Sequence, residues 1–176
     1  EGTSPAVRAF VEHKLYAGAQ PSKYYYNIPC FRYEKPQSGR LREFHQFGIE
    51  TFGTSDMMAD AAIISLAYDF LKEMGITDIE LRINSVGCPE CRKNHRQSLR
   101  TFLEPKYDQL CDTCKDRFDR NPMRILDCKS PVCHELVQGA PVMLDYLCDD
   151  CRDAFEQLKA NLDAMGIEYT VDPGIV

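Results

Sequence analysis

The chain has 176 residues, is 44% hydrophobic and carries a formal charge of −6, from 21 Lys and Arg against 27 Asp and Glu. That size supports one substantial core with a smaller appended unit; no apolar run approaches the roughly 18 residues of a membrane span, and the charged start EGTSP is unlike a signal peptide, so a cytoplasmic protein with no membrane partner is expected. The acidic total argues against nonspecific nucleic-acid binding but hides a basic middle, since residues 86–125 hold nine Lys and Arg against six Asp and Glu, and 126–176 three against ten.

In chain order, Ser4-Pro5 reads as a helix start, a hydroxyl N-cap followed by proline at the first helical position, opening a helix to about Leu15. Lys23 to Gly53 reads as two strands joined by a long basic loop: an aromatic run to Phe31, turn residues at Pro36, Ser38 and Gly39, then His45 to Thr51. With a strand period of two, Gln46, Gly48 and Glu50 share a polar face, and Phe47, Ile49 and Thr51 share the opposite, buried one. A Gln and a Glu flanking a bare glycine suit the floor of a small-molecule site. Arg32, Lys35, Arg40 and Arg42 around the same hairpin suit phosphate, for which guanidinium is a bidentate partner. A solvated charged loop on an amphipathic hairpin is the competing reading. Cys30, alone in its strand, reads as a core residue.

From Ala59 to Met74 the residues Ile63, Leu66, Ala67, Phe70, Leu71 and Met74 recur at helical spacing, with Gly75 as the stop, predicting a core-packed helix. Ile79 to Asn84 alternates as a half-buried strand. At Val86-Gly87-Cys88-Pro89 the sequence changes character, and eight of the nine cysteines follow: Cys88 and Cys91, Cys111 and Cys114, Cys128 and Cys133, Cys148 and Cys151. Three CxxC pairs exceed what a redox dithiol requires, and an intracellular chain disfavours structural disulfides, which favours a structural Zn2+. Reduced thiols packed as small hydrophobes and disulfides stay open as alternatives. Cys88, Cys91, Cys111 and Cys114 have a knuckle-like separation and are taken as the metal set, with Cys128, Cys133, Cys148 and Cys151 able to form a second; an interleaved arrangement uses the same spacings.

Around these cysteines the pattern is helical: Glu90 to Leu103 closed by Pro105, Cys111 to about Arg120, Pro131 to Gln138, and Asp149 to Met165, whose apolar face is Ala154, Phe155, Leu158, Leu162 and Met165. Arg92, Arg96 and Arg100 fall at i, i+4 and i+8, flanked by Lys93 and His95, a stripe suited to nucleic-acid phosphates or, equally, to solvent. Leu99 and Phe102 point toward the inserted core. Ile167 to Val171 then returns as a strand to the first sheet. The domain division expected is 1–86 with 166–176 as one domain and 87–165 as an inserted, helical, cysteine-rich one.

The stretch FRYEKPQSGRLREFHQFGIETFG, together with EGTSPAVRAF at the start, RINSVG at 82–87 and NPMRILDCK at 121–129, resembles the histidyl-tRNA synthetases, a family of class II aminoacyl-tRNA synthetases, and the first stretch resembles their motif 2. The resemblance spans nearly the whole chain and implies an α+β fold, part of the class II antiparallel sheet with flanking helices plus a small helical insertion. It implies a ligase that activates histidine with ATP and Mg2+ and transfers it to tRNA(His), usually as a homodimer. By resemblance, Arg32 binds the α-phosphate and is catalytic, Glu34 lies near the adenine and Arg40 reaches the distal phosphates. Glu1, Gln46 and Glu50 hold the histidine ammonium, and Thr3 closes that pocket; Arg92, Arg96 and Arg100 meet the tRNA.

The family's dimer-forming first motif, its RGLDYY-type arginine segment, third motif and anticodon-binding domain have no counterpart in these residues. The chain therefore reads as a central fragment that is inactive alone, with an opened sheet edge and a poorly ordered loop at 34–43. Two other functions compete: a silent synthetase-like regulatory subunit of histidine biosynthesis, against which the intact Arg32, Arg40, Gln46 and Glu50 speak, and a zinc-bound RNA-binding module.

Overall fold

The computed structural model describes residues 1–175, which divide into two compact units, 1–64 and 65–175. In the first, α1 (Thr3–Glu12) and a 3-10 turn (Leu15–Ala17) precede a hairpin of β1 (Ser22–Phe31) and β2 (Glu43–Phe52). The strands pair antiparallel from Ser22 opposite Phe52 to Phe31 opposite Glu43. At the tip Gln37 and Arg40 exchange backbone hydrogen bonds of 3.2 and 2.9 Å around Gly39, whose φ of 71° is accessible to glycine without strain. The tip of the 34–43 loop is thus closed by a hydrogen-bonded turn.

Two expectations for this unit are corrected. The helix starts at Thr3 with Gly2 as its cap, and no side chain caps it, so Ser4 is inside the first turn. The cause is the Gly2 amide, which is tied to the hairpin and starts the helix early; Pro5 still lies where a missing N–H costs nothing. The faces of the hairpin are also reversed. The face of Gln46, Gly48 and Glu50 is half-buried, while the opposite face leaves Tyr25 77% and Phe47 50% exposed. The start of α1 lies on the polar face, and Phe10 of α1 stacks on Phe52 at 4.3 Å on that same side.

The division between units falls inside α2 (Met57–Glu73), which begins where the Asp56 carboxylate accepts the Met58 N–H at 2.9 Å and ends just before Gly75, at φ 82°. Its period and stop match the sequence, but Leu66, Phe70 and Met74 are exposed and Ala61 is its buried residue. Periodicity makes the helix; burial of the stripe needs a covering layer that residues 1–175 do not supply.

In the second unit, β3 (Arg82–Ile83) leads to α3 (Pro89–Leu103), α4 (Asp112–Arg120), α5 (Met123–Leu126), α6 (Pro131–Leu136) and α7 (Asp149–Ala164), closing with β4 (Thr170–Val171). The returning strand pairs in parallel with β3, through Thr170 N–H to Leu81 O at 2.9 Å and Asp172 N–H to Ile83 O at 3.0 Å, and is not hydrogen-bonded to the hairpin sheet. Leu99, Leu103, Leu110, Phe118 and Ile125 form a core with Cys114 and Cys133. The buried face of α3 is Cys91, His95, Leu99 and Leu103, spaced by four. His95 is therefore not a flank of a basic stripe. It is 0% exposed, Nε2 lies 2.8 Å from the Pro141 carbonyl, and its ring sits 5.5 Å from Tyr146.

Because Leu99 is fully enclosed where four helices meet, Leu99→Ala should destabilise this unit by about 2–5 kcal/mol, read as an earlier denaturant midpoint of helical circular dichroism.

Candidate functional site

The polar face of the hairpin is built around a ring that was not among the expected site residues. Tyr26 stands directly opposite Gly48, and its ring occupies the space a Cβ would need at both Gly48 and Gly2. Two glycines thus admit one tyrosine. From there its hydroxyl donates to Glu50 Oε1 at 3.3 Å and lies 3.5 Å from Thr3 Oγ1. Gln46 Oε1 accepts the Gly2 N–H at 2.8 Å and the Cys30 thiol at 3.5 Å, with Cys30 buried beneath as a core residue. Thr3, Gln46 and Glu50 are therefore brought onto one face, and Glu1 adjoins them, exposed, beside the buried Gly2. The signal for Tyr26 was in the sequence: once the hairpin is paired, the bare glycine needs a neighbour, and the residue across from it is aromatic.

The arginines sit at the other end of the hairpin. Arg32 donates from Nε to the Leu41 carbonyl at 2.8 Å, and its guanidinium lies 4.3 Å from the centre of the Phe44 ring. Phe44 shares the strand face of Gln46, two residues or about 7 Å along it, so cation and pocket are adjacent. Glu34 and Arg40 are ion-paired across the turn, both half-exposed, and Arg42 donates to the Glu34 carbonyl at 3.3 Å. An exposed pair is worth about 0.2–1 kcal/mol, so Arg40 can exchange its carboxylate for a ligand phosphate at little cost.

The second unit brings its eight cysteines into two sets of four. Within each set the sulfur atoms all lie within 4.8 Å of one another: Cys88, Cys91, Cys148 and Cys151 in one, Cys111, Cys114, Cys128 and Cys133 in the other. This corrects the expected joining of Cys88 and Cys91 with Cys111 and Cys114. The reason is α3, a rigid rod of about 1.5 Å per residue that carries the chain away from Cys91 before Cys111 is reached. The Cys91 pair can close only with the pair that returns at Cys148.

Each CxxC follows one local rule. Cys88, Cys111 and Cys148 are helix N-caps, their partners lie in the first turn, and the next residue's amide bonds back to the first cysteine's carbonyl: Arg92 to Cys88 at 3.0 Å, Lys115 to Cys111 at 2.9 Å, Arg152 to Cys148 at 2.9 Å. Amide dipoles there favour thiolate. The Cys148 amide, 3.1 Å from Cys91 Sγ, draws the Cys91 thiol down to about 6, and the Cys114 amide does the same for Cys111, to about 7. Burial pushes Cys114 and Cys133 up, and the hydrogen bond from Cys148 pushes Cys151 up to about 12. Four crowded thiols cannot all ionise without a compensating cation.

The sulfur spacings suit a tetrahedral zinc. Cys88 and Cys91 are 3.4 Å apart and Cys111 and Cys128 3.9 Å, against an edge of about 3.8 Å for Zn–S bonds of about 2.3 Å and a disulfide bond of about 2.05 Å. All nine cysteines are free thiols.

The basic stripe divides. Arg92 turns back to the Gly87 carbonyl at 2.9 Å, and Arg152 does the same to Leu147 at 3.4 Å, so matching arginines brace the two CxxC turns of the Cys88 set. Arg100 donates to the Phe118 carbonyl at 3.1 Å, pairs with Asp119 at 3.0 Å and lies over the Phe118 ring. Arg96 is exposed.

Two outcomes follow from this geometry. Gly48→Ala should drive Tyr26 out of its slot and destabilise the hairpin unit by about 1–3 kcal/mol, measured by denaturant unfolding, with a change in the Tyr26 ring resonances. Gly87→Ala should distort the Cys88 set, because Gly87 has φ 61° and a Cβ there would meet the Cys91 Cβ at 2.7 Å; titration with added zinc against a competing chelator should show weaker binding than in the unmutated chain.

Comparison with known proteins shows the family of the chain. The profile of the histidyl-tRNA synthetase family matches residues 1–103. The chain is 60% identical over 176 residues to the histidine–tRNA ligase of Caldanaerobacter subterraneus subsp. tengcongensis, covering 100% of the chain and 42% of that protein. It is 58% identical over 177 residues to the histidine–tRNA ligase of Clostridium perfringens strain SM101, covering 43% of it. The crystal structure of apo S. aureus histidyl-tRNA synthetase superposes with a TM-score of 0.77 at 36% identity, over 100% of this chain and 40% of that one. The chain thus spans about two fifths of the length of these relatives, and over that span it belongs to the histidyl-tRNA synthetase family.

Proposed function

We propose that this chain forms part of a histidine–tRNA ligase, contributing a histidine pocket, part of the ATP site and an inserted domain. The histidine carboxylate attacks the α-phosphorus of ATP, pyrophosphate leaves, and the histidyl group then passes from the adenylate to tRNA(His). The observation that carries this reading is the convergence of Thr3, Gln46 and Glu50 on one strand face next to Arg32. Glu50, with Gln46 and Glu1, supplies the acceptors a substrate ammonium requires, and Thr3 bounds the pocket. Tyr26 holds the Glu50 carboxylate in place. Arg32 stabilises the charge that develops on the α-phosphate, Glu34 lies near the adenine and Arg40 reaches the distal phosphates, with Mg2+ arriving on the ATP.

In this reading residues 1–86 and 166–176 serve the catalytic domain, 87–165 the inserted one, and the intact protein is a cytoplasmic homodimer. Cysteine-held structural Zn2+ organises the insertion, supported by the fit of the sulfur spacings to tetrahedral thiolate ligation. Of the arginines proposed to meet tRNA backbone phosphates, Arg96 is exposed, whereas Arg92 and Arg100 are engaged within the chain, so the contact falls first to Arg96 with Lys93 beside it. No helix among the described residues is long and apolar enough to cross a membrane.

In the intact protein, Arg32→Ala should lower the kcat of histidine-dependent ATP–pyrophosphate exchange by about 10²–10³-fold. Glu50→Ala should raise the KM for histidine tenfold or more, since the ammonium loses its counter-charge (about 1.5–3 kcal/mol for a charged hydrogen bond). Exchange that is insensitive to both would remove the assignment. Lys93→Ala with Arg96→Ala should weaken tRNA binding and flatten its salt dependence while leaving exchange intact.

A further inference from the structure

We infer that the chain binds two metal ions in nested cysteine sets with different work, and that the outer set, Cys88, Cys91, Cys148 and Cys151, is a clasp that closes β3, α7 and β4 into one βαβ unit. The inference rests on the cysteine–zinc reading above and goes beyond it in the number of ions, their ownership and their effect on the sheet.

The chain order carries it. Parallel strands need a crossover, here supplied between β3 and β4, and the helix that delivers the chain to β4 is α7. In sequence, α7 begins far from β3. In space, its N-cap Cys148 meets Cys88, which follows β3 by a few residues, and the Cys148 amide bonds Cys91 Sγ at 3.1 Å. A metal at this point short-circuits the chain: residues 89–147 become a closed loop, and β3, clasp, α7 and β4 become a contiguous short path. The matching braces, Arg92 to Gly87 and Arg152 to Leu147, place one cation beside each turn of this set, where a tetrathiolate zinc centre carries net negative charge.

The inner set sits elsewhere. Cys114 and Cys133 belong to the apolar core of Leu99, Leu103, Leu110, Phe118 and Ile125, whereas Cys91 belongs to a separate small cluster with Met143 and Leu147. His95 fastens α3 to the loop that delivers Cys148 through Pro141, which makes it a positioning residue for the clasp. Cys148 is exposed and Cys88 and Cys151 half-buried, so the outer ion is the more accessible one.

The test uses the full 176-residue chain purified anaerobically. Native mass spectrometry should count two zinc ions. With one equivalent of zinc, N-ethylmaleimide labelling read by peptide mass spectrometry should protect cysteines in whole sets, either 88, 91, 148 and 151 or 111, 114, 128 and 133. Hydrogen exchange of the Thr170 amide in β4 and the adjoining Asp172 amide should speed at least tenfold in Cys148→Ser and stay unchanged in Cys128→Ser. Two ions with protection mixed across the sets, or β4 exchange indifferent to Cys148→Ser, would overturn the clasp while leaving the zinc reading standing; absence of any bound zinc would overturn both. The labelling uses the unmutated chain, so misfolding of a serine variant does not remove the test. None of these outcomes bears on the ligase reading, which stands or falls with pyrophosphate exchange.

Discussion

The pairing of Tyr26 with Gly48 across the hairpin is the constraint on which the candidate pocket depends. A strand register has no intermediate setting: a slip of one residue would turn Gln46 and Glu50 to the other face and leave Tyr26 facing a side chain. With the observed register the tyrosine ring fills the gap left by two glycines, its hydroxyl reaches Glu50, and the Gly2 amide reaches Gln46. One residue pair therefore orients the Gln46 and Glu50 side chains and anchors the first turn of α1. The same register sets Phe44 two residues from Gln46, and Arg32 lies over that ring. In the proposed reading, this single strand face is where the substrate carboxylate and phosphate meet, the positioning an adenylation reaction needs from its scaffold.

The second unit is stabilised differently. Three of its helices, α4, α5 and α6, have nine, four and six residues, and isolated helices of that length are marginal in water. Three of its helices, α3, α4 and α7, begin at a cysteine N-cap, so the place where the helix dipole favours negative charge is also where thiolates gather. Crowding then makes full ionisation of each set depend on a cation. The residues that start these helices are thus the same ones whose thiols converge, which ties local helix initiation to the long-range contacts of the unit.

Much of this was legible in the residues. The helices around the cysteines, the hairpin and its turn, and the stop at Gly75 follow from period, caps and glycine placement, which are local. What was not legible is non-local. The cysteine spacings were compatible with either pairing until the length of α3 decided between them. The buried face of α3 includes His95, because a polar residue in an apolar row reads as surface until its partner, the Pro141 carbonyl, is known. The stripe of α2 was read as core because periodicity reports shape and not cover. Arg92 and Arg100 were read as ligands of something external, and both found carbonyls of their own chain.

The most direct test of the pocket is nuclear magnetic resonance of the intact protein, following the Gln46 side-chain amide and the Tyr26 ring as amino acid is added. Histidine should shift both sets of resonances saturably, and imidazole propionate, which keeps the ring and carboxylate but lacks the ammonium, should not. Equal shifts with both compounds, or histidine-induced shifts confined to residues away from Tyr26, Gln46 and Glu50, would contradict the placement of the amino-acid site on this strand face.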